Sequence, residues 1–262
     1  MLKKLALVIA AVGISAGVAI AATNGSDFAN DPAYDMGFGN GTDGGTPLTF
    51  SSWIIGATPP GPNAGSFIGD STSLAPMNTG GNVNTGGEAF GLFAHSGQSV
   101  DASRSFDSPL GGGQTFTIQL AVNFRNGNKG FDLRDASSAS IFNLNIGGDT
   151  YAVNNATTGN GVIFGGTYDA NTVFSISMTQ VDGTGGTWSI TRSGGLTGTV
   201  SGTYTGLASG FHLYNSQTTG AGAAEDNLFF NNMTVIPEPS TYALLAGPTL
   251  LGAFMFIRRR RS

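Results

Sequence analysis

Residues 115–124 read Thr-Phe-Thr-Ile-Gln-Leu-Ala-Val-Asn-Phe. Phe116, Ile118, Leu120, Val122 and Phe124 fall on one side of this stretch, and Thr117, Gln119, Ala121 and Asn123 on the other. Successive side chains of an extended chain point to opposite faces, so period two predicts a strand with one buried face and one wet face. A helix would place its apolar residues three and four apart, and here they are two apart.

The signal continues in both directions. Asn126-Gly127-Asn128 predicts a tight turn into a strand from Gly130 to Arg134. Phe142, Leu144 and Ile146 alternate next, and Gly147-Gly148-Asp149 turns into Tyr151 and Val153. Val173 to Met178 is expected to bury Phe174, Ile176 and Met178, and Asp182 to Gly186 then turns into Trp188-Ser189-Ile190. Strands around Val200 and Tyr204, from Phe211 to Tyr214 and from Asn227 to Val235 complete the series. Toward the N-terminus, strands are predicted from Glu88 to Ala94 and from Leu48 to Ile55. The stretch 57–88, with Pro59-Pro60-Gly61-Pro62, reads as loop, and 23–47 as an extension or first strand. Ten to twelve antiparallel strands joined by tight turns make an all-β fold, a two-sheet antiparallel sandwich or jelly roll. A fixed-length repeat, which a propeller or solenoid would need, is absent.

Composition agrees. Glycine supplies 42 of 262 residues and charged residues only 10%, which suits turns and strands better than helices. Eighteen phenylalanines supply apolar area that a disordered chain lacks. With no cysteine, disulfides and thiolate metal sites are excluded. Residues 23–236 hold fifteen acids against five bases, a surface that repels phosphate backbones, so nucleic acid is not an expected partner.

Most of the basic residues lie at the two ends. Lys3 and Lys4 precede an apolar run from Leu5 to Ala22, and Ala19-Ile20-Ala21 fits a small-x-small cleavage site. This pattern predicts a signal peptide over 1–22, its cleavage site marked by Ala19 and Ala21, that engages the secretion machinery; an uncleaved anchor is the alternative. At the other end Pro237-Glu238-Pro239-Ser240-Thr241 leads into the apolar run Tyr242 to Ile257, and Arg258, Arg259, Arg260 and Arg261 follow. Two prolines keep the motif extended and accessible. Sixteen apolar residues predict a transmembrane helix of borderline reach, and four arginines hold its end in the cytoplasm. The chain therefore divides into 1–22, a β-sandwich body over 23–235 and a tail over 236–262, with the signal helix and the transmembrane helix flanking the body.

A plain tail anchor would account for the helix and the arginines but not for the Pro-Glu-Pro-Ser-Thr element. The whole tail resembles the PEP-CTERM sorting signal in the order and spacing of motif, short helix and basic cluster; Pro248 within the helix is a departure. The resemblance implies recognition by an exosortase, cleavage near Pro237-Glu238-Pro239, and delivery to the cell surface or an exopolysaccharide matrix. Residues 90–133 also resemble the concanavalin A-like (laminin G-like) sandwich family, through an aromatic strand, Arg104-Ser105-Phe106, Leu110, and a Gly-x-Thr-Phe leading into a long strand.

Chemistry is sparse. A glycosidase needs two facing carboxylic groups, yet the body has only Glu88 and Glu225 beside aspartates that mostly sit in turn-like contexts. No catalytic residue is expected. His95 and His212 lack a third ligand at zinc spacing. Glu225-Asp226-Asn227, with Asp132 and Asp135 elsewhere, could supply oxygen ligands to calcium, or could simply keep a strand edge soluble. Trp53 and Trp188 are expected in the core rather than as sugar platforms. The sequence thus predicts an exported, non-enzymatic surface or matrix protein. A lectin-like carbohydrate-binding module, calcium-dependent or not, is the alternative, with a polysaccharide-cleaving enzyme third.

Overall fold

The computed structural model describes residues 25–45, 49–73, 81–122, 124–148, 150–216, 218 and 226–236. The signal-peptide residues Ala19 and Ala21, the motif from Pro237 to Thr241, the arginines Arg258 to Arg261 and Glu225 lie outside the described residues. No helix among the described residues is long and apolar enough to cross a membrane.

Two antiparallel sheets enclose one aromatic core. The strands are β1 (Gly25–Asp27), β2 (Ile54–Thr58), β3 (Ala64–Gly69), β4 (Ala89–Ala94), β5 (Ser99–Ser105), β6 (Thr115–Val122), β7 (Asn128–Arg134), β8 (Ser140–Asn145), β9 (Ala152–Asn154), β10 (Gly161–Val162), β11 (Val173–Asp182), β12 (Gly185–Ser193), β13 (Gly198–Thr205), β14 (Gly210–Ser216) and β15 (Asn227–Ile236). One sheet runs β13-β12-β11-β6-β15-β4-β3, with β1 also paired to β15; the other runs β10-β9-β8-β7-β14-β5-β2. The two sheets are called here the eight-stranded and the seven-stranded sheet.

Alternation puts Phe116, Ile118 and Leu120 of β6 and Phe131 and Leu133 of β7 inside, all essentially inaccessible to water. The sheets meet through rings: Phe116 stacks on Phe211 of β14 at 4.8 Å, and Phe142 of β8 packs on Trp188 of β12 at 5.3 Å. Burying a phenylalanine of this kind stabilises the fold by about 1.5–3 kcal/mol. Trp53 and Trp188 are both core residues, as expected.

Several boundaries differ from the sequence expectation. The strand expected from Leu48 to Ile55 begins at Ile54, after the buried Trp53. The stretch 57–88 contains β3, which the glycines and prolines conceal. Phe67 of β3 in turn explains a glycine of the neighbouring strand: a Cβ on Gly91 of β4 would sit 2.3 Å from its ring. The β6 pattern stops at Val122, and Phe124 is 48% exposed instead of buried. β5 was not expected at all. Its inward residues are Val100, Ala102 and Arg104, so a charge stands where alternation calls for an apolar side chain.

That charge is matched. Arg104 pairs with buried Asp27 of β1 and with Asp43, donates to the Ser51 carbonyl, and lies over the rings of Phe50 and Trp53. The Tyr34 hydroxyl donates to Asp27 at 2.8 Å and accepts from Trp53 Nε1 at 3.0 Å. Together these contacts pin residues 25–45 onto the sandwich.

The outer face of the eight-stranded sheet is a register of hydroxyls. Thr115, Thr179, Thr187 and Thr203 stand side by side across β6, β11, β12 and β13. The next rank is Thr117, Ser177, Ser189 and Ser201, extended by Thr234 of β15. The third is Gln119, Ser175, Thr191 and Thr199. β-branched threonine suits an exposed pleated surface, and paired threonines support one another across strands.

Candidate functional site

The outer face of the seven-stranded sheet carries a different set of groups. On β14, Phe211 and Leu213 point inward, so His212 and Tyr214 point outward. On β7, Phe131 and Leu133 point inward, so Asp132 and Arg134 point outward. Pairing in register sets His212 directly against Asp132, and Tyr214 against Gly130 on one side and Asp101 of β5 on the other.

His212 is held from both sides. Nε2 lies 2.8 Å from Asp101 Oδ1 and Nδ1 lies 3.0 Å from Asp132 Oδ2. Arg134 Nη2 is 2.7 Å from the same Nδ1 and 3.3 Å from Asp132 Oδ2. One ring nitrogen cannot donate to a carboxylate and accept from a guanidinium at once, so the protonation state of His212 selects its partner. Burial works against the charged ring, but the hydrogen bonds with Asp101 and Asp132 outweigh it and hold the imidazole above its ordinary value. Burial likewise acts to raise Asp132, but the bonds with His212 and Asn143 and the nearby cations hold that carboxyl below the usual range.

Beside this cluster the rings of His212 and Tyr214 lie side by side, 5.8 Å apart and tilted by only 29°. Tyr214 reaches across β7 because Gly130 has no side chain: a Cβ there would meet the tyrosine oxygen at 2.5 Å. Its hydroxyl donates to the Leu144 carbonyl at 3.2 Å and accepts from Asn143 Nδ2 at 2.9 Å. Burial pushes the Tyr214 phenol well above its ordinary value, so it stays protonated. Asn143 also donates to Asp132 at 2.7 Å and accepts from Asn154 at 3.1 Å. The result is an aromatic shelf rimmed by carboxylates and amides. A cavity of about 140 Å³, lined in part by Arg134, Asp135, Ser138 and Ser209, opens at one end of this face.

Of the residues expected to offer oxygen ligands to calcium, Asp226 and Asn227 are described and Glu225 is not. Asp226 is fully buried, accepts from Asn126 Nδ2 at 3.2 Å, and its main-chain carbonyl accepts from Asn215 Nδ2 at 2.6 Å. Asn126 in turn accepts from buried Lys129 at 2.6 Å, which places an ammonium within the same network. Asn227 opens β15. No group of three or more histidines, aspartates or glutamates among the described residues is placed to hold a metal ion. Asp135 instead organises its own turn, accepting from Ser137 and Ala139.

The described residues therefore define an all-β, two-sheet antiparallel sandwich with a polar, partly aromatic outer face. No family model and no curated protein matches the chain. Solved structures similar to it include a sialidase, at 9% identity and TM-score 0.40, covering 58% of this chain. The chain spans only 16% of that sialidase. The globular domain of T. cruzi calreticulin matches at 9% identity and TM-score 0.40, over 72% of this chain and 85% of that one. A carbohydrate esterase from the Shiga toxin-encoding bacteriophage phi24B matches at 11% identity and TM-score 0.42, over 72% and 91%.

Proposed function

We propose that this is an exported, non-enzymatic surface or matrix protein whose sandwich holds a neutral polysaccharide chain on the shelf formed by His212 and Tyr214. The observation that carries the reading is the Tyr214 ring laid across Gly130 and hemmed by Asn143, Asp132 and Asp101. A pyranose offers an apolar C–H face to such a ring and hydroxyls to the surrounding amides and carboxylates, which is how a few placed polar groups orient a ligand. Acids and bases alternate around the shelf, so it suits an uncharged sugar better than a polyanion. Asp101 and Asp132 are both engaged by His212 and neither stands free as a general acid, which supports binding without turnover. In this reading the N-terminal segment directs export, and the tail from Pro237 to Arg261 is sorted and cleaved by an exosortase. No calcium is needed.

Affinity electrophoresis of residues 23–236 through gels containing laminarin, amylose or alginate tests the binding claim, with and without EDTA. Retardation by a neutral glucan, unchanged by EDTA and reduced at least about tenfold (about 1.4 kcal/mol) in Tyr214→Ala and in Asn143→Ala, is the expected result. Equal mobility of wild type and both variants in every gel would overturn it.

A further inference from the structure

We propose that the hydroxyl face of the eight-stranded sheet is a second binding site, on the opposite side of the molecule, for a neutral polyhydroxylated chain. Together with the shelf, on which the two-sided part of this inference rests, it would let one molecule tie two polysaccharide chains together.

The ranks of hydroxyls described above are not uniform. A shallow trough of about 370 Å³ runs across them, within the range of about 300–1,000 Å³ that small-ligand sites occupy. Its middle is formed by Ser177 and Ser189, two of the three serines of the central rank. One end is closed by Asn232, which adopts φ +58° where β15 bulges and donates to Gln119 Oε1 at 2.6 Å.

The polar groups divide into spent and unspent. The flanking side chains are tied to one another: Thr115 to Thr179 at 2.8 Å, Thr117 to Thr234 at 2.6 Å, Thr191 to Thr199 at 3.1 Å, and Gln119 to Ser175 at 3.1 Å. The hydroxyls of Ser177 and Ser189 have no hydrogen-bond partner within the protein among the described residues. The rim is therefore held rigid while the floor offers groups that can both donate and accept. Strands stand roughly 4.8 Å apart and same-face residues roughly 6.7 Å apart along each strand, so the offered hydroxyls form a regular grid.

Charge and shape select the occupant. No ionisable side chain lines the trough, so nothing in it attracts a polyanion, a nucleic acid or a charged peptide. It has no aromatic ring either, which separates it from the shelf on the other sheet. A neutral polysaccharide matches amphoteric hydroxyls with amphoteric hydroxyls along its length, and many weak bonds in register supply the affinity that no single one provides.

The test uses residues 23–236 and beads coated with amylose or laminarin, with alginate beads as the charged control. Ser177→Glu with Ser189→Glu fills the trough and charges it; Ser177→Ala with Ser189→Ala removes the hydroxyls with little added bulk and serves if the first pair misfolds. Wild type is expected to clump neutral-glucan beads, and each trough pair to abolish clumping while leaving one-bead binding through the shelf. Tyr214→Ala should abolish clumping and leave the trough's binding, and combining it with a trough pair should remove both. Clumping by the trough variants at the wild-type level overturns the second site. Loss of all binding in Tyr214→Ala alone also overturns it, leaving the shelf as the sole site. Binding that survives Tyr214→Ala undiminished but disappears in the trough pairs overturns the shelf instead. Clumping that tracks wild-type dimers in sedimentation, absent from the Glu pair, would assign the face to a second copy of this chain and overturn the proposal.

Discussion

Arg104 and His212 illustrate two ways in which a sandwich of this composition uses a charge. Arg104 lies inside, where its worth depends on its partners. Burial lifts Asp27 to about 6 against the pull of the Arg104 guanidinium and the Tyr34 hydroxyl. Removing one member of a buried pair strands the other, so Arg104→Ala is expected to lower stability by about 3–5 kcal/mol, read from urea denaturation. Arg104→Met combined with Asp27→Leu should recover most of that loss, because the two apolar side chains leave no orphan charge. If the double variant is no more stable than Arg104→Ala, the ion pair is not what anchors residues 25–45. His212 is also largely buried, on the outer side of its sheet, but its carboxylate partners make its sign opposite to that of a buried neutral histidine. Its folded value lies above 6.5, so its contribution to stability is complete below 6.5 and fades as pH rises through the folded value. Asp132, held below 3.8, loses its contribution as pH falls through its own folded value. His212→Gln should therefore flatten the decline in stability above pH 6.5, and ring-proton NMR should place the titration above the ordinary histidine value. None of these partnerships was legible in the sequence. Strand register brings His212 of β14 to Asp132 of β7 and to Asp101 of β5, and the packing of one sheet on the other brings Arg104 to Asp27, each across a long stretch of chain.

At the scale of elements, alternation announced a strand wherever inward positions were apolar, as in β6, β8, β11 and β14. It failed where something else stood in the pattern: Arg104 in β5, and Gly65 and Gly69 in β3, which lie against the rings of Phe93 and Phe67. Gly130 of β7 likewise lies under a ring, though in a strand that the sequence did announce. Asn126-Gly127-Asn128 marked the turn before it, but the need for glycine at 130 arises from a ring on another strand, and local sequence carries no sign of that. A methyl group at 130 would lie 1.9 Å from the Leu144 carbonyl and 2.5 Å from the Tyr214 oxygen. Gly130→Ala is accordingly expected to lift Tyr214 from the sheet, destabilise the protein by about 1–3 kcal/mol in thermal denaturation, and reduce glucan retardation as much as Tyr214→Ala does. Retardation kept at the wild-type level would mean that the flat ring is not what the sugar meets. The core side of the same elements gives a control: Phe116→Ala should cost about 3–5 kcal/mol and leave the retardation of the surviving folded protein unchanged.

Considered whole, the chain joins an acidic body to two ends that carry most of its basic residues. The order of strands in the sheets mixes early and late segments, with β15 between β6 and β4 and β14 between β7 and β5. The sandwich therefore closes only when β15 arrives, and β15, ending at Ile236, is the last of the described strands. Under the proposed reading, replacing Pro237, Glu238 and Pro239 with alanine removes the sorting motif but keeps the apolar run and the arginines. The expected outcome in the native cell is a variant that is exported and loses its signal peptide, yet stays membrane-bound with Arg258 to Arg261 still attached. Intact mass measured on surface and membrane fractions reads both ends at once. Wild type should give a body starting near Thr23 and ending near Pro239, and the variant a body extending to Ser262. A variant recovered from the surface at the wild-type mass would show that the diproline element is not the sorting signal, and a wild-type mass spanning 1–262 in the cytosol would remove both ends from the account.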